Sequence, residues 1–432
     1  MKKVYLGMIA DVIHPGLINI INEGSKYGEL IIGLFSDKAI ATHKRLPYLT
    51  YSQRKQIVEN IKGVSKVIPQ DEWSYIPNLR LLKPDYIIHG DDWKEGKNSK
   101  LRAEVFEVMK EWGGEVIEIP YTKGIDQTAL DSDSKIIAST PEVRLRSLRR
   151  LLDAKDFLRF MEAHSGLSGL IVEHAKVECE NITKRFDGMW SSSLTDSATK
   201  GKPDIEAVDL TSRLQGLSDI LECTTKPIIF DGDTGGIAEH FVFMVRTLER
   251  NGVSAVIIED KMGLKKNSLF GTAVKQELAS TEEFCNKIAM GKKAHLTDEF
   301  MIIARIEELI AGKSVSDALT RAFASVEAGA DGIMIHSKKK SGEDIKEFCL
   351  EFRKKYSRIP LVLVPTSYNH IKEAELANWG ANIIIYANHL LRASYPAMQK
   401  CAKSILQNER SLEADELCMS IKNVIELIPQ GV

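Results

Sequence analysis

Short apolar runs alternate with longer amphipathic segments along this chain, which is the pattern of parallel β-strands connected by helices. In the first third, the apolar runs predict strands at 3–9, 30–35, 65–68, 85–89 and 115–119. The segments 51–61 and 99–112 lie between these runs and predict helices. The pattern therefore predicts one open α/β unit in this part of the chain.

A connection is predicted over residues 121–140, where polar and small residues show only weak periodicity. Pro141 then opens a basic helical segment, 141–152, because proline suits the first turn of a helix. We therefore expect one domain over residues 1–140 and a second over residues 141–432.

The second domain repeats the strand and helix alternation often enough to close a barrel. Its predicted strands are 159–163, 187–191, 227–231, 255–259, 301–305, 331–336, 360–365 and 382–387. Eight strands with helices between them over about 240 residues are typical of a (β/α)8, or TIM, barrel. Two more predicted helices, 390–407 and 413–428, end the chain.

Composition limits the classes of partner. Hydrophobic residues make up 44% and the formal net charge is -2, so neither DNA nor RNA is an expected partner. No apolar stretch reaches the roughly 20 residues that span a bilayer. The six cysteines are scattered without a CxxC pair, which indicates reduced thiols in a cytoplasmic protein. The net charge does not exclude small anionic ligands, because a local cluster of Lys and Arg can bind them.

Acidic residues follow two neighbouring barrel strands, at the end where such barrels carry their active site. Asp231 and Asp233 follow the third strand in the run DGDTGG, and Glu259 ends the fourth. Three carboxylates at one place would repel each other unless a cation joined them, and oxygen ligands of this kind suit Mg²⁺. The alternative is that they are solvated loop carboxylates.

Cationic and hydrogen-bonding side chains follow other strands. Arg305 can hold a carboxylate or phosphoryl group in a bidentate fork. His336 can donate to a phosphoryl oxygen, although a single histidine there is equally compatible with a structural role. Together with Lys265, they predict a site for a small substrate that carries both carboxylate and phosphoryl groups.

Several segments resemble phosphoenolpyruvate mutases of the isocitrate-lyase type. They are MEAHSGLSGLIVE (161–173), FDGDTGG (230–236), IEDKMGLKKNSLFG (258–271), IIARIEELIAG (302–312), MIHSKKKSGEDI (334–345) and ANHLLRAS (387–394). EDK followed by KKNS is shared by the mutases and phosphonopyruvate hydrolases, whereas the related lyases carry a catalytic cysteine that is absent here. The resemblance implies a Mg²⁺-dependent isomerase that interconverts phosphoenolpyruvate and phosphonopyruvate.

The resemblance also implies roles for individual residues. Asp204 matches a phosphoryl carrier or steering group on a gating loop, although by itself it is equally compatible with a helix N-cap. Lys265 and Asn267 match loop residues that close over the phosphoryl group, and Arg305 and His336 match positioning residues. The expected substrate contacts are Trp190, Ser192, Leu194 and Ser337. The expected metal ligands are Asp231 directly, and Asp233 and Glu259 through water.

The first domain resembles glycerol-phosphate and ethanolamine-phosphate cytidylyltransferases, which implies a Rossmann-like fold. His14-Pro15-Gly16 resembles the start of their HxGH signature, at a helix N-terminus that can receive phosphates. Leu17 replaces the second histidine and cannot donate a hydrogen bond to a triphosphate. The expected nucleotide contacts are His14, Gly16, Lys44, Asp91, Ser139, Thr140 and Arg144. The sequence leaves three functions possible for the first domain: cytidylyl transfer from CTP, nucleotide binding alone, or a fold kept for assembly or regulation.

Rival functions differ in how they use the same architecture. A phosphonopyruvate hydrolase would share the barrel, a carbon–carbon lyase is disfavoured by the missing cysteine, and a nucleotide-binding scaffold would be inert at the barrel. Barrels resembling this one usually exchange their last helix between subunits, so we expect a homodimer or a homotetramer.

Overall fold

The computed structural model describes residues 1–94, 98–120, 122, 137–179, 182–263, 265–268 and 273–427. The chain divides into two compact units. The first consists of Met1–Leu158 and Lys176–Arg185, and the second of Arg159–Ala175 and Phe186–Val432. The first unit includes the helix Pro141–Ala154, which the sequence pattern places at the start of the second domain.

Five parallel strands form the sheet of the first unit, in the spatial order β3-β2-β1-β4-β5. They are β1 Lys3–Met8, β2 Glu29–Phe35, β3 Lys66–Gln70, β4 Tyr86–Gly90 and β5 Glu115–Ile119. Val4 of β1 lies between Leu30 of β2 and Tyr86 of β4. Because the strand order reverses at β1, the crevice beyond the carboxyl ends of β1 and β4 is where sheets of this kind bind ligands. The Rossmann-like prediction is confirmed.

Helices cover both faces of this sheet. They are α1 Pro15–Ser25, α2 Asp37–Ala41, α3 Tyr51–Glu59, α4 Ile76–Leu82, α5 Ser99–Lys110 and α6 Pro141–Ala154, with a 3-10 turn at Asp91–Trp93. Successive residues of β1 alternate between two cores, since Val4 and Leu6 pack in one cluster and Tyr5 in the other. Most of the predicted connection 121–140 lies outside the described residues.

Two short antiparallel strands, β7 Lys176–Cys179 and β8 Ile182–Arg185, follow the first barrel strand in the chain. The eight parallel barrel strands close in the order β10-β11-β12-β13-β14-β15-β6-β9. They are β6 Leu158–Glu162, β9 Gly188–Ser191, β10 Ile228–Asp231, β11 Ala255–Glu259, β12 Met301–Ile306, β13 Gly332–Ile335, β14 Leu361–Leu363 and β15 Ile383–Tyr386. The predicted (β/α)8 barrel is thereby confirmed.

Helices connect the barrel strands and follow the last of them. They are α7 Gly166–His174, α8 Ser193–Thr199, α9 Leu210–Cys223, α10 Ala238–Arg250, α11 Thr281–Ala294, α12 Val315–Glu327, α13 Glu343–Lys355, α14 Glu373–Asn378, α15 His389–Asn408 and α16 Ile421–Glu426. The single helix predicted over 413–428 is wrong. A 3-10 turn at Leu412–Leu417 ends in the extended residue Cys418, and Ser420 then caps a new helix by accepting from the Asn423 N–H.

Two expectations from composition concern membranes and disulfides. None of the described helices has the length and apolar character that a bilayer crossing requires. All six cysteines are free thiols, and the Sγ atoms of Cys401 and Cys418 lie 3.7 Å apart.

Candidate active site

One cavity opens at the carboxyl ends of the barrel strands. It is lined by Trp190, Ser192, Ser193, Leu194, Asp204, Asp231, Lys265, Asn267, Ser268, Arg305, Met334, His336, Val364, Thr366, Ala387 and Asn388. The residues predicted for catalysis are all among them, as are three of the four predicted substrate contacts. The fourth, Ser337, does not line the cavity. Its hydroxyl donates to Asp344 Oδ2 at 2.7 Å.

Strand register explains why acidic and basic groups meet here. Glu259, the last residue of β11, is paired with Arg305 of β12, and Arg305 with Met334 of β13. Asp231 ends the neighbouring strand β10 and pairs with Ile257. Since all strands run in the same direction, side chains distant in sequence share one rim of the barrel.

The Lys265 ammonium lies among three aspartates. Its Nζ is 3.1 Å from Asp204 Oδ1, 2.5 Å from Asp233 Oδ1 and 3.9 Å from Asp231 Oδ2. It also donates to the Ser193 hydroxyl. Burial would lower the pKa of Lys265, but the surrounding carboxylates, Asp231 and Asp233 first, outweigh burial and raise it. The group therefore stays charged.

Asp231 is held from two directions. Its Oδ2 accepts from the N–H and the hydroxyl of Ser193 at 3.2 and 2.8 Å, and its Oδ1 accepts from the Asp233 N–H at 3.2 Å. Burial would raise the pKa of Asp231, but Lys265 and Arg305 outweigh burial and hold that pKa below its ordinary value. Asp231 is consequently ionised and fixed in direction.

Glu259 is buried, and neither carboxylate oxygen has a hydrogen-bond partner among the described residues. The nearest cations, Arg305 Nη2 and Lys261 Nζ, lie 3.4 and 3.5 Å from Oε2. Burial raises the pKa of Glu259 to about 7. A carboxylate with unmet acceptors in a buried position is a group that a bound cation would satisfy.

The acidic groups fit the chemistry of Mg²⁺, which prefers oxygen ligands. Asp231, Asp233 and Glu259 provide those oxygens, and among the described residues those of Glu259 accept no hydrogen bond. Within the described ranges, no three acidic, histidine or cysteine side chains stand close enough together to form a ready-made metal site. The Lys265 ammonium lies between the aspartates instead.

Glu307, which the sequence pattern did not single out, organises the basic side of the cavity. Its Oε1 accepts from Arg305 Nε at 2.5 Å, and its Oε2 accepts from the Ser268 hydroxyl at 2.6 Å. His336 Nδ1 lies 3.0 Å from Arg305 Nη2 and 3.1 Å from Glu307 Oε1, which leaves Nε2 available to a substrate. Burial and then Arg305 lower the pKa of His336, so its imidazole is neutral near pH 7.

Asp204 is bound by the segment 265–268. Asn267 Nδ2 donates to Asp204 Oδ2 at 2.7 Å, beside the contact from Lys265. The alternative that Asp204 caps a helix is wrong, because α9 begins at Leu210 and its N-cap is Asp209.

Arg213 and Asp196 are further buried charges beside the cavity that sequence reasoning missed. Arg213 donates to Asp196 Oδ2 at 2.9 Å and to Asp233 Oδ2 at 3.1 Å. A signal existed in the sequence, because Arg213 shares the inner face of α9 with Leu217 and Ile220 at helical spacing. A charge on an apolar face requires buried partners.

In the first unit, some predicted nucleotide contacts lie at the expected crevice. His14 is the N-cap residue of α1, and its Nδ1 is buried without a hydrogen-bond partner in the described part of the chain. Gly16 lies in the first turn of that helix, and Asp91 directly follows β4. Burial lowers the pKa of His14.

The other predicted contacts of this unit interact with the protein itself. Lys44 Nζ lies 5.9 Å from the ring centre of Trp73. Thr140 is the N-cap residue of α6, and its hydroxyl donates to the Ile137 carbonyl at 2.8 Å. Arg144, which was predicted to contact a nucleotide, is 2% exposed and donates to the Ser139 carbonyl at 2.9 Å.

A closed parallel barrel with buried acids and cations at its carboxyl rim has the architecture of the (β/α)8 enzymes. The family model described as phosphoenolpyruvate phosphomutase matches residues 148–406. The chain belongs to this family and is an enzyme. A second family model, described as cytidylyltransferase-like, matches residues 5–146.

Two relatives of the barrel are equally similar. The phosphoenolpyruvate phosphomutase of Tetrahymena pyriformis is 36% identical over 281 residues, which cover 65% of this chain and 89% of that protein. The phosphonopyruvate hydrolase of Variovorax sp. (strain Pal2) is 36% identical over 284 residues, which cover 65% of this chain and 93% of that protein. The comparison therefore gives the superfamily and leaves both reactions open. For the first domain, the glycerol-3-phosphate cytidylyltransferase of Bacillus spizizenii is 33% identical over 135 residues, covering 31% of this chain and 97% of that protein.

Solved structures agree with this assignment. The crystal structure of phosphoenolpyruvate phosphomutase from Streptomyces platensis subsp. rosaceus is 38% identical with a TM-score of 0.60, covering 65% of this chain and 93% of that one. Phosphonopyruvate hydrolase in complex with oxalate and Mg²⁺ is 34% identical with a TM-score of 0.59, covering 66% of this chain and 94% of that one.

Proposed function

We propose that the barrel interconverts phosphoenolpyruvate and phosphonopyruvate by intramolecular phosphoryl transfer. The observation that carries this proposal is the position of Asp204. Its carboxylate lines a cavity that also presents Arg305 and His336, and it is bound by Asn267 and Lys265. A carboxylate placed beside groups that can bind a phosphoryl oxygen is the arrangement that such a transfer needs.

In the proposed reaction, Asp204 receives or steers the phosphoryl group. The bond from phosphorus to the enol oxygen breaks as the phosphorus moves to an Asp204 oxygen, which leaves the enolate of pyruvate. The methylene carbon of the enolate then attacks the phosphorus, and the bond to Asp204 breaks. No water or proton is consumed, so the product is an isomer of the substrate.

Cations spread the charge that the phosphoryl group carries during transfer. Glu307 and Ser268 fix the Arg305 guanidinium, so it can bind a carboxylate or phosphoryl group without rearranging. His336 offers Nε2, and Lys265 lies within 3.1 Å of Asp204 Oδ1. We infer that Asp231, Asp233 and Glu259 hold Mg²⁺, which when bound supplies positive charge for the enolate oxygen.

Exclusion of water separates a mutase from a hydrolase on this barrel. The side chains of Asp204 and Lys265 are only 7% and 4% exposed, and Asn267 also contacts Asp204. A covered carboxylate favours return of the phosphoryl group to the enolate over its loss to water. The competing function, hydrolysis of phosphonopyruvate, is supported by the equal identity to a hydrolase.

A coupled absorbance assay with phosphonopyruvate separates the two functions. Hydrolysis gives pyruvate, which lactate dehydrogenase reduces at once with loss of NADH. The mutase gives phosphoenolpyruvate, so NADH is consumed only after pyruvate kinase and ADP are added. We expect the second result, with reactions lacking the protein as a control, and immediate NADH loss would contradict the proposal.

We also propose a homo-oligomer, in which a second copy covers the carboxyl-terminal helices. None of the residues of α15 is buried, and Tyr395, Met398 and Leu406 are exposed by 66%, 62% and 80%. Large exposed apolar side chains on one helix favour an interaction surface. Sedimentation velocity should give a dimer or a tetramer, and Leu406→Glu should shift it toward the monomer.

A further inference from the structure

Arg213 is a buried cation that the proposed reaction does not use directly. It is 5% exposed and shares its face of α9 with Leu217 and Ile220. A guanidinium persists on such a face only where its donors find acceptors, because an unpaired buried charge is strongly unfavourable. The acceptors therefore indicate what the residue does.

The Arg213 guanidinium joins separate segments at the rim of the barrel. Its Nε donates to Asp196 Oδ2 at 2.9 Å, and its Nη1 donates to the Asp231 carbonyl at 2.5 Å and to Asp233 Oδ2 at 3.1 Å. Its Cζ lies 4.1 Å from the ring centre of Phe230. Most of these partners belong to the strand end that supplies the acidic residues of the cavity.

Asp233 needs this support, because its φ is 52°. A non-glycine residue holds that left-handed conformation only where the surrounding structure fixes it. Arg213 binds its Oδ2, while Lys265 Nζ, which lines the cavity, lies 2.5 Å from its Oδ1. The Asp233 carboxylate is thus held in one orientation, with Oδ1 facing the Lys265 ammonium.

We propose that Arg213, with Asp196 as its counter-ion, is a positioning residue that aims the Asp233 carboxylate at the divalent cation. The proposal rests on the metal site of the proposed function. Neither Arg213 nor Asp196 is among the described residues that line the cavity, so the pair acts through Asp233 and the carbonyl of Asp231. Asp196 shares the guanidinium charge, so Arg213 orients the Asp233 carboxylate without being paired with it alone. Groups that orient a metal ligand from behind typically change metal affinity by about 10- to 100-fold.

Binding of Mn²⁺ to the purified full-length protein, followed by electron paramagnetic resonance of the free ion, tests this role without turnover. Arg213→Lys keeps the charge but cannot reach all the acceptors, and we expect it to weaken Mn²⁺ binding about tenfold. Arg353→Lys is the matched control. Arg353 also donates to carbonyls of the barrel unit, those of Gly380 and Ile359, and contacts no acidic residue of the cavity.

The outcomes are distinguishable. If Arg213→Lys misfolds, as judged by circular dichroism, Asp196→Asn replaces it, and we expect three- to fivefold weaker binding because the guanidinium then neutralises Asp233 more strongly. If the wild-type protein binds Mn²⁺ and every folded variant of Arg213 or Asp196 binds it with an affinity within twofold of wild type, the positioning role is overturned and the metal site stands. Absence of Mn²⁺ binding by the wild-type protein would overturn the metal site and, with it, the positioning role.

Discussion

Each unit of the chain contains a buried arginine with several acceptors, and the acceptors differ in kind. In the first unit, Arg54 is fully buried and donates to the carbonyls of Ile9 and Phe35 and to Asp37. In the barrel, Arg305 binds Glu307 and Ser268 at the rim of a cavity.

The comparison separates charge that stabilises a fold from charge that serves a site. Backbone carbonyls tie Arg54 to strand ends and a loop, so its geometry is complete without a ligand. The barrel instead contains the Glu259 carboxylate, whose oxygens accept no hydrogen bond from the described residues, close to Arg305, which lines the cavity. Unsatisfied buried groups of this kind are expected at functional sites and rarely elsewhere.

The largest expected effect comes from Asp204→Asn. The amide keeps the size but cannot carry or steer the phosphoryl group, so turnover of phosphonopyruvate should fall at least about a thousandfold in a folded protein. Asp209→Asn is the matched control, because Asp209 caps α9 outside the cavity and asparagine caps equally well. Turnover by Asp204→Asn within tenfold of wild type would remove Asp204 from the mechanism.

Glu307→Gln should lower turnover about a hundredfold. The neutral amide no longer fixes the Arg305 guanidinium, and it cannot accept from Arg305 and Ser268 in the same way. Steady-state kinetics should be compared with Glu308→Gln, which breaks a buried pair with Arg321 away from the cavity. We expect that control to lose stability and keep its turnover at 25 °C, and an equal loss of turnover in both variants would contradict the assignment.

Arg54→Met should act on stability and leave the barrel reaction unchanged. Removing a fully buried cation leaves the carbonyls of Ile9, Phe35 and Leu49 without this donor and leaves Asp37 with Arg150 alone among the described residues, at an expected cost of about 3 kcal/mol. Urea unfolding followed by circular dichroism should show an earlier first transition, while turnover at 25 °C stays within twofold. A parallel loss of barrel activity would end the distinction between structural and functional charge.

Leu17→His should have the smallest effect and concerns the first unit alone. The new imidazole restores the donor that the cytidylyltransferase signature contains, so pyrophosphate release from CTP with glycerol 3-phosphate should rise about tenfold from a very low wild-type rate. Ile18→His, one position further along the same helix, is the control. Equal release by both variants, or rapid release by the wild type, would contradict this reading of Leu17.

Most of the fold could be predicted from the sequence, because strands that are buried on both faces consist of short runs of consecutive apolar residues. Even β14, with only Leu361–Leu363 in strand geometry, lies inside its predicted run. The break in the last helix was missed because it depends on the Ser420 cap and on the extended backbone at Cys418, and helical periodicity alone does not reveal either.

Asp231, Glu259, Arg305 and His336 followed from the rule that barrel chemistry lies where strands end, whereas Asp204 and Asn267, which lie on loops, followed only from the family resemblance. That rule cannot tell which way a side chain points, so Ser337, which follows a barrel strand, was expected at the substrate and instead donates to Asp344. It also overlooks supporting residues on helices and loops. Arg213 meets Asp196 and Asp233 only in the folded chain, since these positions are far apart in sequence.

Phosphorus NMR of the full-length protein with phosphonopyruvate and Mg²⁺, with and without CTP, tests the central claim most directly. The account predicts that the phosphonate signal is replaced by that of phosphoenolpyruvate, that chelation of Mg²⁺ stops the conversion, and that CTP changes nothing. Appearance of inorganic phosphate in its place, or conversion that persists after chelation, would contradict it.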